Sequence, residues 1–225
     1  MLVTEQTKTQ DAAWGDLHGA VDIWVPLFSL FDPETAAARR ALGERIWTYT
    51  ALCQGKPTPW WHLDYPLFNY RIPAWMAWTY HMEGLLYWGG MSYWNAVEDP
   101  WTDPETYRPG EESSAGEKSP VRKGPVFNGE GSLLYPGATV GLEGPVPSMR
   151  LKAIRDSIED FEYLTILESL GARTQAEGLV GSVVRGWYEW SREPESYFVV
   201  RRKLGCMANG LLDSRKTPTG GSLER

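Results

Sequence analysis

The sequence has few of the residues that build metal centres and disulfide frameworks. Among its 225 residues are two cysteines, Cys53 and Cys206, which lie far apart and predict free buried thiols rather than a disulfide. The three histidines, His18, His62 and His81, share no metal-ligand spacing. A glycine-rich phosphate loop is also missing. The sequence therefore predicts no metal site and no cofactor.

The sequence also lacks a basic excess and any long apolar run. It has 22 Lys and Arg against 29 Asp and Glu, and its net charge of −7 argues against nucleic acid or an anionic membrane as a partner. No apolar segment approaches the length of a membrane span. The residues after Met1 have neither the basic region nor the apolar core of a signal peptide. This leaves the compartment open, because we expect the true amino terminus to lie upstream.

Aromatic residues are abundant instead. The twelve tryptophans and eleven tyrosines suit carbohydrate recognition, but they suit a large aromatic core almost as well. A chain of this length is long enough to bury one sizeable core. Function must therefore be argued from where the rings lie along the chain.

The segment from Gly84 to Asn95 carries the strongest functional pattern. Its first half is a short apolar run between glycines, which predicts a strand buried on both faces. Ser92, Tyr93, Trp94 and Asn95 follow the carboxyl end of that strand, where parallel α/β proteins bind ligands. Rings mixed with hydrogen-bonding groups suit a sugar, although they also suit a core that is simply aromatic.

Earlier segments predict further strands and helices in alternation. We expect strands over residues 1–5, 20–26 and 46–52, and helices over 33–45 and 65–82, with Asp32 capping the first helix. Connections of helix length between strands predict parallel pairing. Alternation in residues 20–26 places Val21, Ile23 and Val25 against helices and Asp22 and Trp24 toward a lumen or cleft.

The remainder of the chain predicts a long loop and three helices. Residues 99–125 are rich in Pro, Glu, Ser and Gly, which is typical of a loop. The clearest helix spans 147–170, with Ser148 as its cap, and two more are expected over 174–191 and 194–212. We expect residues 214–225 to be a disordered tail.

Four stretches together resemble the catalytic domain of glycoside hydrolase family 123 and its uncharacterised relatives. The most specific is Arg-x-x-x-Glu-Asp-Phe-Glu-Tyr-Leu, from Arg155 to Leu164. The resemblance covers roughly residues 1–212 and rests on the stretches 19–26, 64–75, 83–94 and 148–164.

The resemblance implies a (β/α)8 TIM-like barrel and a retaining mechanism of the N-acetylhexosaminidase type. In that mechanism the acetamido oxygen of the substrate attacks the anomeric carbon, assisted by an adjacent Asp-Glu pair. The two Glu-Asp pairs here, Glu98-Asp99 and Glu159-Asp160, have the reverse order and follow the expected last strands. No catalytic residue is therefore assigned, and the pair is expected upstream of Met1. Residues 1–213 would form the carboxyl-terminal part of the barrel, about strands five to eight plus terminal helices.

Candidate sugar-binding residues are aromatic or polar groups near the predicted strand ends. Trp88 is the first choice, and we expect Trp24, Tyr49 and Trp88 to converge on one hollow. Asp22, Tyr93, Trp94, Asn95 and Tyr135 are further candidates. Arg150, Arg155, Glu159, Asp160 and Glu162 are expected to be architectural.

A half barrel exposes apolar lumen residues and unpaired strand edges. We therefore expect this chain to self-associate or to need the amino-terminal half of the barrel as a partner, with a carbohydrate as its ligand. Two alternatives to the enzyme stay open: a non-catalytic carbohydrate-binding or structural relative, and an interaction module for a separate half-barrel subunit.

Overall fold

The structure is a computed structural model that describes residues 1–4, 6–8, 10–11, 15–51, 55, 57–88, 91–92, 94, 97–106 and 127–216. It is a mixed α/β fold with a parallel sheet and five α-helices in that part of the chain. The strands are β1 (Leu2–Val3), β2 (Gln10–Asp11), β3 (Gly15–Asp16), β4 (Ile23–Trp24), β5 (Arg45–Thr50), β6 (Gly84–Tyr87), β7 (Leu134–Pro136), β8 (Pro145–Pro147), β9 (Val184–Gly186) and β10 (Glu189–Trp190). The helices are α1 (Pro33–Ala41), α2 (Ile72–Thr79), α3 (Met149–Ser169), α4 (Arg173–Val180) and α5 (Pro194–Lys216). None of the described helices is both long and apolar enough to cross a membrane.

The parallel sheet follows the order of the chain. Its four strands are arranged β1-β4-β5-β6, and each neighbouring pair is parallel. The crossover from β4 to β5 carries α1 and that from β5 to β6 carries α2. The predicted parallel pairing is therefore confirmed. The hairpin of β2 and β3, which lies between β1 and β4, was not predicted.

Helix α1 begins where the sequence predicts. The Asp32 carboxylate accepts the Thr35 backbone N–H at 2.9 Å, and Pro33 occupies the first turn. The Thr35 hydroxyl also donates to the Asp32 carboxylate, at 2.7 Å. The hydroxyl bond first, and then the backbone bond, lower the pKa of Asp32. The capping prediction is confirmed.

The helix predicted over residues 65–82 is instead broken in two. A 3-10 turn, Leu67–Tyr70, is followed by α2, and Pro73 sits in the first turn of α2. Proline is tolerated there because the N–H groups of a first turn have no partner within the helix. The position of Pro73 therefore agrees with a helix that begins at Ile72 rather than at residue 65.

The two faces of the sheet differ in burial. In β5, Ile46, Thr48 and Thr50 are fully buried, whereas Trp47 and Tyr49 are half-buried and Arg45 is exposed. Residues paired in a parallel register share a face, so Trp24, which pairs with Ile46, lies on the buried face. This reverses the expected orientation of β4. The indole N–H of Trp24 donates to Glu44 at 2.6 Å, and Glu44 pairs with Arg39 of α1, so Trp24 faces the helix.

The chain divides into two compact units, Met1–Ser157 and Ile158–Arg225. Within the second unit, α4 ends at Val180 and an antiparallel hairpin of β9 and β10 follows. The helix predicted over 174–191 is therefore wrong in its second half. Helix α5 continues to Lys216, so the first three residues of the expected disordered tail are helical. Cys206 is exposed on α5, contrary to the predicted buried thiol, and Cys53 lies outside the described residues.

Candidate functional site

A groove of about 620 Å³ lies at the carboxyl end of the parallel sheet. One wall comes from the loop after β5 and includes Leu63, Tyr65 and Leu67. The other comes from segments that follow β6 and includes Trp101, Tyr135 and the start of α3. Its volume is in the range typical of small-molecule sites, and its position is the one that parallel α/β folds use for ligands.

Two aromatic rings in contact form the centre of the second wall. The rings of Trp101 and Tyr135 lie 4.9 Å apart at an interplanar angle of 49°. The indole N–H of Trp101 donates to the carbonyl oxygen of Pro136 at 2.7 Å. Trp101 is nevertheless 40% exposed, so it presents a fixed aromatic surface to the groove.

Arg150 holds this wall from behind. Its side chain is buried and donates to the Gly129 carbonyl oxygen at 2.6 Å, to the Ser132 carbonyl oxygen, and to the Tyr135 hydroxyl at 3.0 Å. Gly129 has a φ of +73°, and a Cβ atom there would lie 2.5 Å from the Arg150 guanidinium. Only glycine therefore allows the loop to come this close to the arginine.

A buried histidine–carboxylate pair joins the two loops beneath the groove. His62 Nε2 lies 2.8 Å from Glu130 Oε2, and both side chains are almost fully buried. The Leu63 N–H donates to the Asn128 carbonyl oxygen at 2.8 Å, and the Asn128 amide donates to the Asp64 carboxylate at 2.9 Å. Because these bonds cross between the loops after β5 and β6, they fix the distance between the two walls.

Two buried tyrosines lie in the same region. Burial raises the pKa of Tyr70, and the nearby Arg150 opposes that increase. Burial also raises the pKa of Tyr87, and the negative charge of Glu130 adds to the effect. The Tyr87 hydroxyl accepts the Gly131 N–H at 2.7 Å. Both groups therefore stay protonated at neutral pH, Tyr87 as a hydrogen-bond acceptor and Tyr70 as a neutral packing group.

The candidates after β6 lie at the same end of the sheet as the groove. Trp88 follows β6 directly and its side chain is 51% exposed. Its backbone N–H donates to the Thr50 carbonyl oxygen. Tyr135 lines the groove, whereas Trp94 is half-buried. Tyr93 and Asn95 lie outside the described residues.

The candidates on earlier strands are not brought together. Trp24 is fully buried against the α1 side of the sheet, whereas Tyr49 lies on the opposite face, which is partly exposed. Asp22 is exposed and pairs with the amino terminus of Met1. The expected convergence of Trp24, Tyr49 and Trp88 on one hollow is therefore absent. A binding role for each stays a prediction, and burial is least compatible with that of Trp24.

The sequence did not predict that Trp101 and Tyr65 line the groove, or that the Arg150 side chain is buried. Trp101 lies in a segment whose composition indicates only a loop, and the proline-rich flanks gave no sign that its ring would be fixed. Arg150 was expected to be architectural, either as a surface charge on a helix outside the barrel or as an anchor for a neighbouring element. It is buried at the start of α3 and anchors the loop at Gly129. The signal available for Arg150 was its position shortly before Arg155, where the most specific family motif begins.

In both Glu-Asp pairs the Asp side chain accepts hydrogen bonds from neighbouring groups. Asp99 accepts the backbone N–H of Trp101 and the hydroxyl of Thr102, both at 3.1 Å. Asp160, within the second unit, is 1% exposed and accepts from Arg201 Nε at 2.5 Å. Over the described residues, no three His, Cys, Asp or Glu side chains form a group that could hold a metal ion.

A parallel sheet whose crossovers carry helices defines the class of this chain as an α/β protein. The family profile of glycoside hydrolase 123, catalytic domain, matches residues 3–167, and the chain belongs to that family. A family 123 glycoside hydrolase from Clostridium perfringens, described in connection with glycolipid glycan hydrolysis, has a similar fold, with a TM-score of 0.54 and 16% identity. The match covers 85% of this chain and 32% of that one, so this chain spans about a third of its relative. No curated protein matches.

Proposed function

We propose that the chain is the carboxyl-terminal half of the (β/α)8 barrel of a retaining, substrate-assisted glycoside hydrolase of the N-acetylhexosaminidase type. In this proposal the chain supplies sugar-binding walls, and the Asp-Glu pair comes from barrel strands outside these 225 residues. Membership of glycoside hydrolase family 123 supports the reaction class.

The observation that carries the proposal is the order and direction of the strands. The four parallel strands lie in chain order, and crossovers between parallel strands are right-handed as a rule, which keeps their helices on one side of the sheet. A doubly wound sheet would reverse its strand order partway and carry helices on both faces. The face opposite α1 contains the half-buried Ile23, Trp47, Tyr49 and Leu86, as expected for the inner face of a barrel wall.

The exposed rings at the carboxyl end support the binding role. Trp88 follows β6 directly, and Trp101 and Tyr135 line the groove at the same end of the sheet. Active sites of (β/α)8 enzymes lie at this end, on the loops that follow the strands. A ring that stacks on the apolar face of a sugar buries apolar area and leaves the hydroxyl groups free to hydrogen-bond.

The mechanism that we propose needs no nucleophile from this chain. The acetamido oxygen of the substrate would attack the anomeric carbon, while one carboxylate of the pair orients the acetamide and the other protonates the leaving oxygen. Asp99 and Asp160 are both occupied by structural hydrogen bonds, which supports placing that pair elsewhere.

The test is hydrolysis of chromogenic 2-acetamido glycosides by the intact gene product. We expect release from the N-acetylhexosaminide but not from the matched glycoside with a 2-hydroxyl, because the latter lacks the attacking oxygen. Equal rates on both would exclude substrate assistance while leaving a glycosidase. Trp88→Ala should raise KM with a smaller change in kcat, because stacking stabilises ground and transition states alike.

One alternative has an observation in its favour. The 225 residues contain no adjacent Asp-Glu pair, which favours a carbohydrate-binding relative without catalytic activity. Binding of an N-acetylhexosamine without release of any chromophore by the intact gene product would support this alternative.

A further inference from the structure

The side chains that line the groove are mostly apolar. Leucines form much of the wall that follows β5. On the opposite wall, prolines, a valine and a methionine flank the Trp101–Tyr135 pair. The polar lining residues are two tyrosines, Ser148 and Arg150, and none of the lining residues is an Asp, Glu, Asn or Gln. The groove therefore has few hydrogen-bonding groups for its size.

Three of these polar groups, Arg150, Tyr135 and Ser148, already have partners. Arg150 donates to two backbone carbonyl oxygens and to Tyr135. Ser148 Oγ accepts the Leu151 N–H at 3.2 Å at the start of α3. A pyranose ring in this groove would leave several hydroxyl groups without partners, which costs free energy. An apolar group has no hydroxyl groups to leave unpaired and would not incur this cost.

The apolar surface is also exposed and fixed in place. Met149 is 62% exposed, Leu63 and Leu67 are each 45% exposed, and Trp101 is 40% exposed. Apolar side chains that are exposed together around one concave site mark a binding surface more strongly than the same residues scattered singly. Because Trp101 is held by both Tyr135 and Pro136, a ligand would not have to order it on binding.

One wall of the groove is hydrogen-bonded to the segment that follows Trp88. The N–H groups of Leu133 and Leu134 donate to the Met91 carbonyl oxygen at 2.8 and 2.7 Å, and Met91 follows Trp88 by three residues. The strand that carries Tyr135 is thereby attached to the segment that leaves β6.

We propose that the groove is an aglycone subsite, which binds an alkyl or aryl group attached to the sugar, with Trp101 as its specificity-determining residue. This inference rests on the proposed function, since it assumes that a glycoside binds at the carboxyl end of the sheet.

The test compares the methyl and octyl glycosides of one N-acetylhexosamine, below the micelle concentration of the octyl compound, by calorimetry on the intact gene product. Each buried methylene group raises affinity roughly fourfold, so we expect the octyl glycoside to bind at least about tenfold more tightly than the methyl one. Trp101→Ala should reduce that ratio to about twofold or less. Met149→Glu tests the same groove at a side chain that is 62% exposed, and Leu142→Ala, at an exposed apolar residue away from the groove lining, is the matched control.

The outcomes separate this inference from the proposed function. A tenfold preference for octyl that both groove variants lose and the control keeps supports the subsite. Equal binding of the two glycosides, or a preference that both groove variants retain, overturns the subsite and leaves the sugar wall standing. Octyl binding that depends on Trp101, without any methyl binding, supports the groove and overturns the sugar wall. If neither glycoside binds, both proposals fail.

Discussion

At the scale of single residues, Arg150 shows how a charged side chain can be buried and useful. Its guanidinium replaces lost hydration with hydrogen bonds to two backbone carbonyl oxygens and the Tyr135 hydroxyl. Planar geometry with several donors suits this role, and the ammonium of lysine does not reproduce it. Arg150 therefore stabilises the loop at Gly129 and the ring of Tyr135 together.

Replacing Arg150 should reveal this role. We expect Arg150→Lys to lower the free energy of unfolding by about 2 kcal/mol or more, because carbonyl oxygens that are buried would lose their donors. Arg155→Lys, at an exposed arginine on the same helix, should change it by less than about 0.5 kcal/mol. Urea unfolding measures both. Equal effects of the two substitutions would show that Arg150 is not the anchor we describe.

The buried tyrosines predict how stability depends on alkaline pH. Burial raises the pKa of Tyr70 above its ordinary value of 10.0, so the unfolded chain loses this proton first as the pH rises. The stabilising effect is complete below about pH 10 and declines above it, by about 1.4 kcal/mol per pH unit for each such group.

Tyr70→Phe tests this dependence. Between about pH 8 and pH 11 we expect the variant to lose about 1.4 kcal/mol less stability than the unmodified chain. Tyr87→Phe should show the same smaller alkaline loss, but it should also be less stable at every pH, because the Gly131 N–H loses its acceptor. Urea unfolding across this pH range is the measurement. An alkaline loss unchanged by either substitution would contradict the assignment.

Residue-level reasoning from the sequence reached only part of the site. The strand end after β6 and Tyr135 were predicted as binding positions, and both lie at the carboxyl end of the sheet. Trp24 was assigned to the wrong face because alternation divides a strand into two faces without saying which one helices cover. Here Glu44 and Arg39 decide the question, since their pair lies beside the Trp24 indole on the α1 side.

At the scale of elements, local signals were reliable where the chain carries caps and strong periodicity. Asp32 begins α1, Ser148 caps α3, and Gly171, with a φ of +79°, follows the end of α3. The helix expected over 174–191 failed in its second half. Its residues pair instead as β9 and β10 within the second unit, a tertiary preference that propensity does not encode.

Strand β6 depends on a glycine for its packing against β5. A Cβ atom on Gly84 would lie 2.4 Å from the ring of Trp47, the residue that pairs with it. We expect Gly84→Ala to lower the free energy of unfolding by about 1–3 kcal/mol, as overpacking does. Urea unfolding should show a smaller penalty in a Trp47→Leu background, where the ring is gone.

A helical glycine with free space around it is the matched control. A methyl group added at Gly178 in α4 would meet nothing within 4 Å outside its own helix backbone, so Gly178→Ala should stabilise the chain by up to about 1 kcal/mol. Destabilisation by both alanines alike would indicate a general effect of glycine replacement rather than the contact with Trp47.

At the scale of the whole molecule, the parallel sheet has two edges and one partly exposed face. Strands β1 and β6 are its edge strands, and Ile23, Trp47, Tyr49 and Leu86 lie half-buried on the face opposite α1. Exposed edges and apolar sheet faces favour pairing with another chain. Strand order could be predicted from the sequence because helix-length connections impose it. The covering of this face could not, because local propensity and periodicity do not specify what packs against a sheet face.

The last prediction therefore concerns self-association. We expect the 225-residue chain on its own to sediment with a mass above the 25.4 kDa of one copy, and that mass should increase with concentration. Leu86→Lys places a charge on the partly exposed face and should weaken association, because a buried ammonium without a partner is costly. Leu142→Lys, at a leucine that is already 55% exposed, should leave the mass unchanged. A monodisperse single copy that melts in one cooperative transition would contradict the half-barrel proposal, because open strand edges and an apolar sheet face favour association with another chain.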